Sequence, residues 1–157
     1  MSDHHRSVGL EDVIFRVELA IVATPARPKH RWEKVEIKSS KECPPFGRNL
    51  YRFRVKEIVW ARRGVTPPKV GEVIEVDSAS YGYDLTVHKK YYLENIRKIT
   101  LHEVYEPSAG EGEAAKDSRR IVLLDRLDPG WSFACDQSAE PLSARARIED
   151  LLSRETD

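Results

Sequence analysis

The sequence predicts a mainly β protein built as a small closed barrel of five to six strands. Apolar and polar residues alternate along residues 50–61, with Tyr51, Phe53, Val55 and Val59 on one face and Arg52, Arg54 and Lys56 on the other. Several other short apolar runs are separated by glycine and proline clusters that are typical of turns. The 157 residues suffice for one domain, which we assign to residues 8–157 after a polar, disordered tail at 1–7.

The first elements are a short helix and a strand. Residues 10–16 carry apolar side chains at helical spacing. Residues 18–24 are apolar on both strand faces, so this strand should lie deep in the fold. Pro25 and Pro28 should bend or end regular pairing there, and residues 32–37 resume the strand.

The remaining elements follow from shorter patterns. A mid-chain helix is predicted at 85–97 with Asp84 as its cap, although a strand through 87–93 is an alternative. Residues 107–118 are rich in Gly, Ala and Glu and indicate a mobile loop, and residues 141–153 indicate a C-terminal amphipathic helix. Further strands are expected at 72–77, 99–105, 121–124 and 131–134, the last two joined as a hairpin through a turn at 128–130.

Composition narrows the class of protein. Lys plus Arg and Asp plus Glu each total 26, so the net charge is zero and argues against a dedicated nucleic-acid binder. There is no apolar signal-like segment and no run long enough to span a membrane. We therefore expect a cytoplasmic protein whose two cysteines, Cys43 and Cys135, are reduced thiols.

Four segments of the first half of the chain resemble the netrin-like and metalloproteinase-inhibitor-like domains, which have the OB fold. They are LEDVI at 10–14, ELAIVAT at 18–24, YRFRVKEIV at 51–59 with Gly64 beyond it, and VGEVIEV at 70–76. The resemblance implies an OB-like barrel. Inhibitors of that family bind the target's zinc through a mature N-terminal cysteine, whereas this chain begins Met1-Ser2 and has no cysteine before Cys43. The resemblance thus carries over the fold and not protease inhibition.

A candidate binding face follows from uneven charge. Residues 27–56 hold ten basic and three acidic residues, with aromatic side chains between them. OB barrels that bind single strands combine a basic groove with aromatic stacking platforms, but the same pattern also fits a solvated face or one that meets acidic protein groups. The residues assigned to this face are Arg31, Trp32, Arg52, Arg54 and Lys56.

Only one cluster of residues suggests acid–base chemistry. Asp77, Tyr81, Asp84 and His88 are close in sequence and combine carboxylates, a hydroxyl and an imidazole. The alternative is that Asp84 caps a helix and the tyrosine segment packs a loop. The histidines do not have metal-ligand spacing, and no nucleotide-binding or nucleophile-elbow motif occurs, so we assign no catalytic residue, metal or cofactor.

These observations favour a non-enzymatic binding module that takes a protein partner or a second copy of itself through its charge-segregated surface. A single-stranded nucleic-acid binder is the first alternative, and an enzyme using the cluster between residues 77 and 88 is the second.

Overall fold

A computed structural model describes residues 6–35, 46–78, 103–107, 118–126, 130–135 and 137–155. Two α-helices, α1 at Leu10–Val13 and α2 at Arg145–Ser153, are extended by 3-10 turns at Ile14–Arg16 and Leu142–Ala144 respectively. The strands are β1 Arg6–Val8, β2 Leu19–Val35, β3 Phe46–Ala61, β4 Val73–Asp77, β5 Glu103–Tyr105, β6 Arg120–Arg126, β7 Trp131–Phe133 and β8 Ala139–Glu140.

Six strands form one mixed sheet in the order β2-β3-β4-β7-β6-β8. Because β2 also pairs with β6, hydrogen bonds run in a ring through five strands, β2, β3, β4, β7 and β6. The pairing is antiparallel everywhere in this ring except between β4 and β7, which are parallel. The prediction of a mainly β protein is confirmed, with a nearly closed ring of strands and helices near both ends of the described chain.

Strand β2 separates two hydrophobic cores, as its apolar sequence on both faces predicts. Leu19, Ile21 and Ala23 are fully buried in an inner core to which all five ring strands contribute. Ala20 and Val22 lie on the other face of β2, in an outer core that the helices cover. A strand buried on both faces removes about twice as much apolar surface from water as a strand buried on one face, and its register is strongly fixed.

The outer core ties both ends of the described chain to the ring. Ile148 and Leu152 of α2 are fully buried in it, together with Val13 of α1. Strand β1 pairs in parallel with β5 in a separate two-stranded sheet. The sequence places Arg6 and Ser7 in the disordered tail, whereas the structure places both in β1.

Strand β3 departs from regular alternation at two bulges. Lys56 and Val59 are extra residues opposite β2, because Val22 pairs with Glu57 and Ala23 with Val55, while Ala20 pairs with Trp60 and Ile21 with Ile58. Each bulge adds one residue to β3, so the side chains that follow it point to the opposite face from the one that regular alternation predicts. The prediction that Val59 shares a face with Tyr51 is therefore wrong, since Val59 packs against the outer core and Ile58 against the inner one.

The prolines of β2 act partly as predicted. Pairing with β3 stops after Pro25 and resumes at His30, so four residues of β2 bulge out opposite Arg52. The strand then continues to Val35, which is the expected resumption.

Three further predictions fall on residues that the structure does not describe. They are the mid-chain helix at 85–97, most of the loop at 107–118 and the turn at 128–129. Among the described residues, no helix is long and apolar enough to cross a membrane.

Replacing Phe53 by alanine should lower the free energy of unfolding by about 2 kcal/mol, less than for a fully buried phenylalanine. The ring is only partly buried against the inner core, and its edge meets Phe133 with centroids 5.9 Å apart. Urea unfolding monitored by circular dichroism measures the loss. An unchanged transition midpoint would show that Phe53 does not contribute to this core.

Candidate functional site

The basic residues predicted to form a binding face gather on one hairpin of the fold. We call residues 27–35 of β2 with residues 46–56 of β3 the basic hairpin, since these two stretches belong to strands that pair with each other. It carries one acidic residue, Glu33, against eight basic ones. The basic residues are Arg27, Lys29, Arg31, Lys34, Arg48, Arg52, Arg54 and Lys56.

Two of these arginines converge on a carboxylate from the neighbouring strand. Arg31 donates from both Nε and NH2 to the two carboxylate oxygens of Glu75 on β4, the NH2 bond being 2.8 Å long. Arg52 Nε lies 3.8 Å from Oε2 of the same carboxylate. The side chains of Arg31 and Glu75 are 43% and 34% exposed, so this cluster lies at the surface.

The arginines of β3 also hold backbone groups. Arg52 NH1 donates to the carbonyl of Arg27 at 2.7 Å, which closes the bulge of β2. Arg54 NH1 donates to the carbonyl of Gly71 at 2.7 Å, which fixes the connection between β3 and β4. Lys56 is exposed and makes no hydrogen bond or ion pair with another residue in the described part of the chain. Two of the three cations assigned to β3 therefore have structural partners.

Trp32 is the most exposed large hydrophobic residue that the structure describes, at 69%. Alternation along β2 puts it on the opposite face from Arg31 and on the same face as His30. The His30 ring meets the edge of Tyr51 with centroids 6.0 Å apart, and Tyr51 in turn meets Phe133 at 5.6 Å. The face that lines the inner core thus continues outward along the hairpin to Trp32.

The five residues assigned to the candidate face consequently share one hairpin but not one side of it. Arg31, Arg52 and Glu75 interact on the outer side, and Trp32 lies on the other. The charge pattern located the hairpin from the sequence. It could not reveal Glu75, because that residue is more than twenty positions away along the chain and joins the arginines only through the pairing of β3 with β4.

Of the second predicted cluster, the structure describes Asp77 alone. Asp77 ends β4 and is fully buried, and it pairs with Leu50 on one side and Ser132 on the other. Ser132 is also buried and lies opposite Asp125 of β6. Tyr81, Asp84 and His88 lie outside the described residues. The nearby Asn49 Oδ1 is buried without a hydrogen-bond partner among the described residues.

A buried polar pair that the sequence did not indicate joins the two sheets. Tyr105 of β5 donates its hydroxyl to Glu140 Oε2 of β8, and both side chains are buried in or beside the outer core. Burial, the hydrogen bond with Glu140 and the charge of that carboxylate raise the pKa of Tyr105 far above its ordinary value. The pair therefore acts as a protonated tyrosine holding a buried carboxyl group.

Metal-ligating side chains do not gather in the described structure. No group of three or more His, Cys, Asp or Glu residues there is arranged to hold a metal ion. Cys135 is fully buried and forms no disulfide within the described residues, while Cys43 lies outside them.

Comparison with known proteins does not assign a family. No family model, curated protein or solved structure matches this chain. The similarity of the first half of the chain to netrin-like domains therefore stays a prediction from its residues.

Proposed function

We propose that this protein is a non-enzymatic binding module that takes an acidic protein partner on the basic hairpin. The observation that carries the proposal is the exposed Trp32 on a hairpin with eight basic residues and one acidic residue. The chain as a whole has no net charge, so the hairpin is a local positive region. Tryptophan and arginine are the residue types enriched in protein-binding hot spots, and the hairpin exposes both, Trp32 on one side and Arg31 on the other.

The arrangement of the arginines favours a protein over a nucleic acid. Arg52 and Arg54 donate to backbone carbonyls, and Glu75 places a negative charge between Arg31 and Arg52. A phosphate-tracking surface needs a continuous row of cations with available donors, and a carboxylate in its middle repels phosphates. A protein partner does not repeat a charge at every position, so it can place carboxylates on the arginines and other groups elsewhere on such a mixed surface.

We also propose that the ring of strands is an OB-like barrel. Support comes from the ring of five strands, from the pairing of β2 with both β3 and β6, and from the parallel pairing of β4 with β7. Within the ring, β2, β3 and β6 are the first, second and fourth strands along the chain. A five-stranded Greek-key barrel is the description of the OB type. Proteins of this architecture commonly bind their ligands on the strand face and the adjoining loops.

Replacing Trp32 by alanine should abolish capture of the partner. Immobilised wild-type protein is incubated with an extract of the native cells, with and without nuclease, and retained proteins are identified by mass spectrometry. We expect at least one protein that wild type retains despite nuclease treatment and that the Trp32→Ala variant loses, since removing a hot-spot tryptophan typically weakens binding by about 2 kcal/mol or more.

The matched control is Phe15→Ala, because Phe15 is also an exposed aromatic residue, 49% accessible, but lies in the turn after α1. Capture that Trp32→Ala and Phe15→Ala reduce equally would contradict a role for the hairpin. Retention that nuclease abolishes would instead support the alternative of a single-stranded nucleic-acid binder, for which Trp32 is the stacking platform.

A further inference from the structure

We infer that Arg31 and Arg52 form a carboxylate-binding site for the acidic partner, and that Glu75 occupies this site in the free protein as a competitor. The inference rests on the function proposed above and names the chemical group that the hairpin recognises. The ligand is the side-chain carboxylate of an Asp or Glu in an acidic protein segment.

The geometry of the Arg31–Glu75 contact is that of carboxylate recognition. Two nitrogens of one guanidinium meet the two oxygens of the carboxylate, with Arg31 Nε on Oε2 and NH2 on Oε1. This paired arrangement gives the strongest and most directional contact between arginine and a carboxylate. Arg52 adds a second positive charge 3.8 Å from Oε2, while the Glu33 carboxylate lies 3.8 Å from Arg31 NH2, so the two arginines are balanced by two carboxylates in the free protein.

Arg52 should keep its position when Glu75 leaves. Its NH1 donates to the Arg27 carbonyl at 2.7 Å, and its side chain is only 25% exposed. A guanidinium held in this way loses little conformational entropy when it binds a new anion. The site is therefore preorganised on one side by the bulge of β2.

Glu75 can be displaced at low cost because its contact with Arg31 is near the surface. Side chains that are 43% and 34% exposed form ion pairs screened by water, so even this paired contact stabilises the fold less than a buried one would. When a carboxylate of the partner replaces Glu75, Arg31 loses one carboxylate contact and gains an equivalent one. The affinity for an acidic segment is consequently lower than Arg31 and Arg52 alone would give, and removing the charge of Glu75 should raise it.

The test measures binding of a short fluorescent poly-glutamate peptide to the full chain by anisotropy. The Glu75→Gln variant should bind the peptide about threefold to fivefold more tightly than wild type, which corresponds to the loss of one exposed competing ion pair. The control is Glu72→Gln, which changes the net charge equally. Glu72 is exposed, and its Oε1 accepts a hydrogen bond from the Lys69 amide at 2.9 Å, away from the two arginines. It should leave the affinity at the wild-type value.

Adding Arg31→Ala to Glu75→Gln should remove the gain, and thermal unfolding confirms that each variant is folded. Equal tightening by Glu72→Gln, or no tightening by Glu75→Gln, would overturn the competition, whereas the capture experiment with Trp32→Ala would still stand on its own. Failure of the peptide to bind any folded variant would also overturn the inference. Equal tightening for a single-stranded oligonucleotide would show a general anion site in place of a carboxylate site.

Discussion

Leu123→Ala and Leu124→Ala should each lower the free energy of unfolding by about 3 kcal/mol or more, although the two residues are adjacent in β6 and point in opposite directions. Both side chains are fully buried, Leu123 in the outer core and Leu124 in the inner core. Each substitution leaves a cavity among well-packed neighbours, so its cost exceeds the simple transfer of the lost methyl groups from water. Chemical denaturation of the purified variants measures both values.

The control for this pair is Arg126→Ala at the exposed end of the same strand, which should change stability by no more than about 0.5 kcal/mol. A loss confined to Leu124→Ala would mean that only the interior of the ring is packed. The description of an outer core sealed by α1 and α2 would then be wrong.

Tyr105→Phe should destabilise the protein by about 2 kcal/mol near neutral pH, because it removes a hydrogen bond donated to a buried carboxyl group. The difference in the free energy of unfolding between wild type and Tyr105→Phe should shrink above pH 10. Folded Tyr105 keeps its proton there, while in the unfolded chain the hydroxyl ionises near its ordinary pKa of 10.0. The stabilisation is thus complete below about pH 10 and declines above it, by about 1.4 kcal/mol per pH unit.

The measurement is the free energy of unfolding of both proteins from pH 7 to pH 11, taken as a difference so that the other tyrosines and the lysines cancel. A wild-type advantage that stays constant across this range would contradict a protonated, buried Tyr105. Retained far-ultraviolet circular dichroism of Tyr105→Phe at pH 7 shows that the variant is folded.

The sequence predicted the strands well where alternation or uniform burial governs a whole element. The apolar run at 18–24 and the alternation at 50–55 led directly to the two-faced β2 and to the inner face of β3. Regular alternation from Tyr51 would place Glu57 on the inner face of β3, but the bulge at Lys56 turns Glu57 outward, where it accepts a hydrogen bond from Arg145 of α2. Bulges depend on pairing with the neighbouring strand, which a single sequence does not display.

The candidate site was predictable in location but not in arrangement. The clustering of basic residues identified the hairpin, because neighbours along a hairpin are also neighbours in sequence. The contacts of Arg31 and Arg52 with Glu75, and that of Tyr105 with Glu140, join strands distant along the chain. Only the order of strands in the sheet brings these partners together, and local patterns carry no record of it.

The double pairing of β2 has a consequence for how the chain folds during synthesis. Strand β2 meets β3 soon after both emerge, but its other edge pairs with β6, which follows much later along the chain. Contacts between distant segments form slowly, because a long loop must close before they are gained. Until β6 is made, a nascent β2 has one unpaired edge, and its outer apolar face lacks the residues of β6 and α2 that complete the outer core. An unpaired strand edge can pair with a strand of another molecule, so this edge of β2 is a site of misassociation until the ring closes.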